Sequence, residues 1–366
     1  MRLFDPYLYN NVHVVILLVF TVYYFFNIQR RSAKKLLSRK KSNPWVFVYS
    51  FLFIIVVGLR PVSAAFGDTV PYANTFDYFS TFPEAVVSDH DTLFYYFMWL
   101  CSQVMTVHSF FLILEFLYVA PIIIACNRLL RKNADIGLVI CLAAFSFFTY
   151  GTNGLRNGVS LSIVFLALSL IDGNTFQKVL CAVLSLAAIS LHASAALPVT
   201  CMVVAYFIKK PDVMFVFWGF SILVSLVAGD SIANLFASFG FDDRISEYIL
   251  VDVDENLFSH VGFRWDFLLY SAIPILLGWY VFFKKHVYDR TYRLILGTYI
   301  FANAFWIMVI RAEYSNRFAY LSWFLYPIVL SYPLLKLTIW PKTQGFKCAL
   351  IMAGHFAFTF LMTFVI

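Results

Sequence analysis

Charged residues are scarce in this sequence, and the motifs that mark several common enzyme classes are missing. Asp, Glu, Lys and Arg make up only 13% of the 366 residues, whereas 61% are hydrophobic. That composition excludes a water-soluble domain, because repeated long apolar runs are typical of membrane-spanning helices. The chain has no Walker loop, no dinucleotide-binding fingerprint and no HExxH motif, which argues against nucleotide-driven chemistry. Its six cysteines include no CxxC pair, so neither a zinc site nor a disulfide framework is indicated.

The apolar runs predict an all-α polytopic membrane protein that forms a single integral membrane domain over residues 1–366. About 12 spans are predicted, at residues 12–28, 45–60, 107–127, 135–150, 155–171, 178–192, 195–208, 212–229, 266–283, 292–310, 318–337 and 348–366. The spans 178–192 and 195–208 are short, and a broken pair around His192 is the alternative. Residues 93–106 are predicted to form a helix that lies in the membrane interface.

The distribution of Lys and Arg predicts the orientation, because cytoplasmic loops of membrane proteins are rich in both. Of the 27 cations, 20 lie in one set of segments: 29–44, 128–134, 172–178, 209–211, 284–293 and 336–347. We expect this set to be cytoplasmic, so both termini face outward, as do two long irregular loops, 61–92 and 230–265. Because the excess positive charge orients the chain in its membrane, we expect no nucleic-acid partner.

No lysine lies outside that set. The other seven cations are Arg2, Arg60, Arg156, Arg244, Arg264, Arg311 and Arg317. Arginine presents a planar fork of donors that contacts a phosphate or carboxylate at two points, which lysine cannot do. Apart from the terminal Arg2, these arginines are predicted to bind an outward lipid phosphate or diphosphate. Glu313 is predicted to lie with them in the site that binds the diphosphate and the sugar. Salt bridges to outward acids such as Asp266 are the alternative, and we expect two or three arginines to be used in that way.

Two apolar helices between Thr149 and Pro198 are joined by a short polar turn. Arg156 lies at the far end of the first helix and His192 at the far end of the second. Because the helices run antiparallel, both side chains should reach the same side of the membrane. The alternative is that Arg156 extends to lipid phosphates and His192 caps or packs.

Histidine titrates near neutral pH, so His192 is the first candidate for a general base. Asp68 is the rival base, and a reaction without a single protein base is the third possibility. Asn153, Arg156 and Ser160 are predicted to share a helical face that hydrogen-bonds sugar hydroxyls.

Three further features are weaker candidates. Asp89, His90 and Asp91 form an SDHD segment, but adjacent positions point in different directions, so we predict no metal site and no cofactor. Glu115 lies inside an apolar run, where a carboxylate is either functional or paired with an arginine. His13, His108 and His355 lie in apolar surroundings and are predicted to be packed histidines.

The residues carry a resemblance to a known family. Arg60 followed by Gly67-Asp68-Thr69 and Tyr72, and Arg156 followed by His192-Ala193-Ser194-Ala195, resemble the EpsG-type branch of Wzy-like polysaccharide polymerases. This chain has Asn157 where the family often has Gln. The resemblance implies a bacterial inner-membrane glycosyltransferase with a GT-C-like fold. Such an enzyme moves a growing glycan from undecaprenyl diphosphate onto the next lipid-linked repeat unit, without a metal.

Two other functions remain open at this point. A flippase or exporter of lipid-linked oligosaccharides would also have many helices, although transporters commonly show repeated halves and charges near the midplane. A ligase that attaches finished glycan to a lipid, as for O-antigen, would share the fold and the arginines. Besides lipid-linked oligosaccharides and membrane lipids, a chain-length regulator is a possible partner.

Overall fold

The computed structural model describes residues 5–85, 87, 90–238, 263–311 and 315–365, with side chains except at 230–238 and 315–316. Every regular element in these residues is helical, as predicted. The α-helices, numbered in chain order, are α1 (Leu8–Ile28), α2 (Ala33–Leu37), α3 (Pro44–Gly58), α4 (Thr69–Thr81), α5 (Thr92–Ser102), α6 (Val107–Leu130), α7 (Ala134–Leu142), α8 (Phe145–Thr152), α9 (Leu155–Leu168), α10 (Thr175–Leu191), α11 (Ala196–Phe207), α12 (Pro211–Ser238), α13 (Trp265–Trp279), α14 (Arg290–Met308), α15 (Ser315–Trp323), α16 (Tyr326–Lys336) and α17 (Gln344–Phe364). Short 3₁₀ turns occur at Ala64–Phe66, Arg131–Asn133 and Ala193–Ala195.

Six helical segments in the described residues are long and apolar enough to cross a membrane. They are Leu8–Ile28, Val107–Leu142, Pro211–Gly229, Trp265–Lys284, Arg317–Lys336 and Gln344–Phe364. Four more apolar segments are only 10–17 residues long. This set of apolar helices is that of a polytopic membrane protein, but the predicted number of about 12 spans is not confirmed.

The predicted span 135–150 is two helices, α7 and α8, with a break between them. Carbonyls at the end of α7 are satisfied by side chains from distant helices, because a helix end inside an apolar layer needs such donors. His13 Nε2 lies 3.0 Å from the Leu142 carbonyl, and His355 Nε2 lies 3.0 Å from the Ile140 carbonyl. His13 and His355 are buried, which confirms the prediction that they are packed. His108, near the start of α6, is only half-buried, so the prediction does not hold for it.

The chain divides into two compact units. Unit 1 comprises Met1–Ala196 and Ser331–Ile366, and unit 2 comprises Leu197–Leu330. Each is described by itself, and the single membrane domain predicted from the sequence stays a prediction.

At one end of unit 1, several of the basic loops are joined by hydrogen bonds. Arg39, from the loop after α1, donates to both oxygens of Asp135 at 2.8 and 2.7 Å. Asn133, just before α7, donates to the Leu335 carbonyl near the end of α16 at 3.0 Å. Three of the six basic segments predicted to share one side of the membrane therefore meet at one end of this unit, which we term the basic end.

The other end of unit 1 carries α4 and α5. The backbone N–H of Asn43 donates to Asp135 at the basic end, and α3 then runs 15 residues to Gly58. That length carries the chain ~22 Å away, so Arg60 and the segment after it lie at the opposite end. The expectation of an irregular loop over residues 61–92 is wrong in part, because α4 is a 13-residue helix within it.

Hydrogen bonds between polar side chains link several helices of unit 2. The Trp218 indole on α12 donates to Asn303 on α14 at 2.9 Å, and Asn303 donates to Ser322 on α15 at 3.2 Å. The Trp323 indole donates to Ser271 on α13 at 2.7 Å. The two indoles and the Asn303 amide thus each find an acceptor on another helix, as polar groups in an apolar environment require.

Candidate active site

The Asp91 carboxylate lies between two basic side chains at the end of unit 1 opposite the basic loops. Its Oδ2 atom accepts a hydrogen bond from Arg156 Nη1 at 2.5 Å. The same oxygen lies 2.9 Å from His192 Nδ1. The other oxygen, Oδ1, accepts the backbone N–H of Ala193 at 2.9 Å. Arg156 and His192, which the sequence predicted to reach one side, therefore meet at one carboxylate.

Helix ends position all three side chains. Asp91 directly precedes α5, with φ at 51° in the left-handed region, which Asp adopts more readily than most residues. His192 directly follows α10, and its N–H still bonds to the Ala188 carbonyl. Arg156 lies in the first turn of α9, after Gly154, whose φ of 73° allows the chain to turn sharply.

Aromatic rings line the Arg156 guanidinium. Its Nε atom donates to the Tyr72 hydroxyl at 2.8 Å. Its Cζ atom lies 5.8 Å from the centroid of the Tyr72 ring and 5.4 Å from that of Tyr95, within the range of cation–π attraction. The side chain keeps 15% of its surface exposed, and that of His192 keeps 21%. Both are thus held in place and still open to a ligand.

These neighbours decide which groups are charged. Burial opposes ionisation of Asp91, but the bonds and charges of His192, Ala193 and Arg156 outweigh it and hold the pKa of its carboxyl below the ordinary value. Burial raises the pKa of Tyr72 to about 12, although Arg156 acts in the opposite direction. Near neutral pH the site therefore holds an ionised Asp91 and a neutral Tyr72.

Asp68, the alternative candidate for the base, lies beside this cluster. It links the turn at Gly67 to the turn at Gly154 by hydrogen bonds. Its Oδ2 atom accepts the Gly154 N–H at 3.2 Å, and its own N–H donates to Asn153 Oδ1 at 3.2 Å. Gly67 has a φ of 58°, and a Cβ there would come within 2.4 Å of the Asn153 side chain. Asp68 and Asn153 together therefore fix the turn that leads into Arg156.

The predicted polar stripe of Asn153, Arg156 and Ser160 is wrong. Asn153 has extended backbone angles and lies outside α9, so it shares no helical face with Arg156. Ser160 is fully buried and donates to the Asn157 carbonyl at 3.1 Å. The glycine after Asn153 ends one helix and starts the next, which interrupts the assumed periodicity.

Arg60 lies beneath this surface and has no exposed area. Its Nη1 atom donates to the Val57 carbonyl at 2.8 Å, and further donors reach Thr69 and Thr152. Glu115 Oε2 is 3.9 Å away and is equally buried. Arginine pairing, one of the two roles considered for Glu115, is therefore the one observed, and Arg60 supports the site from behind.

The other predicted arginines belong elsewhere in the chain. Arg264 forms a 2.7 Å ion pair with Asp266, the kind of salt bridge expected for two or three of them. Arg264, Arg311 and Arg317 lie in unit 2. The candidates Arg244 and Glu313 lie outside the described residues.

Asp91 was missed as a site residue, since the sequence suggested only a weak metal motif there. Its distance along the chain, 65 residues from Arg156 and 101 from His192, hid the contact. One signal was available: an acid immediately before an apolar aromatic helix, in the same outward segment as Arg60 and Asp68. No group of three or more His, Cys, Asp or Glu that could hold a metal ion occurs among the described residues.

The fold and the site together define a class, that of an all-helical membrane protein with a cationic site at the end of a helix bundle. A family model narrows this class: the model of the EpsG family matches residues 43–365, which is most of the chain. The protein belongs to the EpsG family, and it is thereby a membrane protein of the glycosyltransferase-like polysaccharide polymerase type. No curated protein matches the chain. No solved structure matches it either.

Proposed function

We propose that the protein polymerises oligosaccharide repeat units carried on undecaprenyl diphosphate. One observation carries the proposal: Arg156 and His192 meet at Asp91, and each keeps a nitrogen with no hydrogen-bond partner among the described residues. These atoms are Nη2 of Arg156 and Nε2 of His192. A phosphate-binding donor and a proton acceptor are the two groups that glycosyl transfer from a diphosphate requires.

Arg156 binds the diphosphate of the donor lipid in this proposal. Its exposed edge offers Nη2, while Nε and Nη1 are held by Tyr72 and Asp91. A guanidinium fixed in this way needs little reorganisation as negative charge develops on the leaving diphosphate, so it stabilises the transition state more than the ground state. Because Arg156 stabilises the negative charge on the leaving diphosphate, the proposed reaction uses no metal.

His192 acts as the general base. The acceptor sugar hydroxyl attacks the anomeric carbon of the donor and forms the new glycosidic C–O bond. The bond from that carbon to the diphosphate oxygen breaks, and the lipid diphosphate leaves with the electron pair. The hydroxyl proton passes to His192 Nε2, a step typically contributing 10²- to 10⁴-fold to the rate.

The remaining candidates take other roles. Arg60 and Asn153 position the loop that carries Arg156, through Thr152 and Asp68 respectively. Asp68 remains the alternative base and ranks behind His192, because one of its carboxylate oxygens already accepts the Gly154 N–H. Arg244, Arg264, Arg311, Arg317 and Glu313 remain proposed contacts to the second substrate or to lipid phosphates.

The location follows from the positive charges. The basic loops face the cytoplasm, so the site and both termini lie on the periplasmic side of a bacterial inner membrane. A GT-C-like fold is part of the same proposal.

The direct test is gel analysis of glycan made by purified protein from defined lipid-linked repeat units. A ladder of products one repeat apart supports the polymerase, and the Arg156→Gln protein should give none. Unchanged substrate in every lane would contradict it. Transfer of finished glycan to another lipid, without a ladder, would indicate the ligase instead, and movement of the substrate across a vesicle membrane without elongation would indicate the flippase.

A further inference from the structure

We propose that Asp91 is a positioning residue that fixes His192 with Nδ1 protonated and Nε2 free to take a proton, and that shares one oxygen between His192 and Arg156. The reaction it serves rests on the proposed function, whereas the arrangement of the ring does not. Nothing in the SDHD segment or in the family match assigns this role.

The chemistry of the contact determines the tautomer. An ionised carboxylate only accepts hydrogen bonds, and Asp91 Oδ2 lies 2.9 Å from His192 Nδ1. Nδ1 must therefore carry the proton, which leaves the lone pair of a neutral imidazole on Nε2. In the opposite tautomer two lone pairs would face each other across this distance.

The Asp91 carboxylate is held in place by a hydrogen bond, by its backbone conformation and by its burial. The Ala193 N–H holds Oδ1 at 2.9 Å, so the group cannot rotate away from His192. The left-handed backbone of Asp91, a conformation that costs free energy in a non-glycine residue, directs it back toward α10. Its side chain is only 7% exposed, which limits competition from water.

Sharing of Oδ2 links the two functional groups. Arg156 Nη1 and His192 Nδ1 both bond to this one atom, so each weakens the other's hold on it. An anion that binds Arg156 neutralises part of its charge and leaves Oδ2 to His192. Binding of the diphosphate group would thus tighten the orientation of the base at the moment it is needed.

The test uses the full-length protein in detergent with ¹⁵N-labelled histidine. The His192 ring is assigned by its loss in His192→Gln, and its nitrogen shifts report the tautomer. We expect Nδ1–H in the wild type. In Asp91→Asn we expect a large share of Nε2–H, because the amide must give Ala193 its oxygen and turn its NH₂ group toward His192.

Matched variants separate positioning from folding. Asp77→Asn makes the same chemical change at an exposed position on α4 and should leave the tautomer and the activity unchanged. Asp91→Glu keeps the charge and should restore part of the Nδ1–H population even if Asp91→Asn is poorly folded. In turnover assays Asp91→Asn should lower kcat by about 10²- to 10⁴-fold, with a smaller change in KM.

Inorganic pyrophosphate tests the shared oxygen. Its addition to the wild type should shift the Nδ1 signal of His192 toward a stronger hydrogen bond, and the shift should vanish in Arg156→Gln. The proposal is overturned if His192 is an Nε2–H tautomer in the wild type, if Asp91→Asn leaves the tautomer unchanged, or if pyrophosphate has no effect. Failure of the proposed function is a separate result: a protein that makes no ladder but has the expected tautomer would keep Asp91 in its role.

Discussion

Arg60 and Arg156 both lie at the end of an apolar helix on the same side of unit 1, and the structure uses them in opposite ways. Arg60 has no exposed surface and faces Glu115. Arg156 keeps part of its guanidinium open, although its aspartate lies at 2.5 Å, closer than the 3.9 Å between Arg60 and Glu115. The comparison shows that an acidic partner does not decide the role of an outward arginine. What decides it is whether any of its donors remains accessible.

The largest expected effect concerns His192, the proposed base, which shares the Asp91 carboxylate with Arg156. His192→Ala should lower the rate by on the order of 10² to 10⁴. His192→Gln should do little better, because an amide cannot accept the proton. The measurement is turnover of a lipid-linked substrate at matched protein abundance.

Asp68→Asn is the control for that experiment, and it should keep most of the activity. If His192→Gln kept full turnover and Asp68→Asn lost it, the assignment would be reversed and Asp68 would be the base. Recovery of function in His192→Gln, with loss of protein in His192→Ala, would indicate a structural histidine.

Arg60 should show the next largest effect, and on stability. Arg60→Met leaves the buried Glu115 carboxyl without its cation, which should cost about 1 to 3 kcal/mol, because the two groups are 3.9 Å apart and not hydrogen-bonded. Combining it with Glu115→Leu should restore most of that loss, since an apolar pair of similar volume is tolerated. Thermal unfolding and abundance in the membrane report both. A stable but inactive Arg60→Met protein would mean that Arg60 contacts substrate after all.

Arg156→Lys should lose activity without losing stability. Lysine keeps the charge but cannot hold Tyr72, Asp91 and a phosphate together, so we expect a loss of about ten- to a hundredfold. Full activity at normal abundance would show that charge alone matters at this position. The same substitution at Arg60 should instead lower the unfolding temperature, which separates the two arginines directly.

The pH dependence should separate activity from stability. Activity should fall as the solution is acidified, because a general base must be unprotonated to take the hydroxyl proton. Asp91 keeps its charge to a lower pH than a free aspartate, because its pKa is held below the ordinary value. A carboxyl with a lowered pKa stabilises the fold above its unfolded-state pKa, and that stability is lost only as the pH falls through the folded value. The contribution of Asp91 to stability, measured as the difference in unfolding free energy between the wild type and Asp91→Asn, should therefore be the same at about pH 5 and at about pH 7. A contribution that falls together with the activity over this range would contradict the assignment.

The smallest effect is expected from topology probes, which should not alter activity. Cysteines replacing Lys41 and Glu84, both exposed, lie at opposite ends of unit 1. They should react with membrane-impermeant reagents from opposite sides, Glu84→Cys from outside. The native cysteines are buried, so they add little background. Labelling of both positions from one side would remove the basis for an outward site.

Part of the site could be predicted because it depends on short-range geometry. Two antiparallel helices with a tight connection must bring their far ends together, so the convergence of Arg156 and His192 followed from their spacing. The break between α7 and α8 could not be predicted, because no Gly or Pro marks it. It depends on His13, 129 residues from the carbonyl that it satisfies. The predicted polar face through Asn153 was wrong for a different reason: the turn at Gly154 was counted as part of a helix.

The sequence by itself determined the membrane class, the family, the sorting of positive charge to one end of unit 1 and the pair of basic residues at the other. These properties follow from composition and periodicity, which act residue by residue through transfer from water to lipid. Only the tertiary structure decided that Asp91 is the acid between Arg156 and His192, and that Arg60 is enclosed against Glu115. Both outcomes depend on contacts between segments far apart in the chain, where packing selects which donors are buried and which remain open.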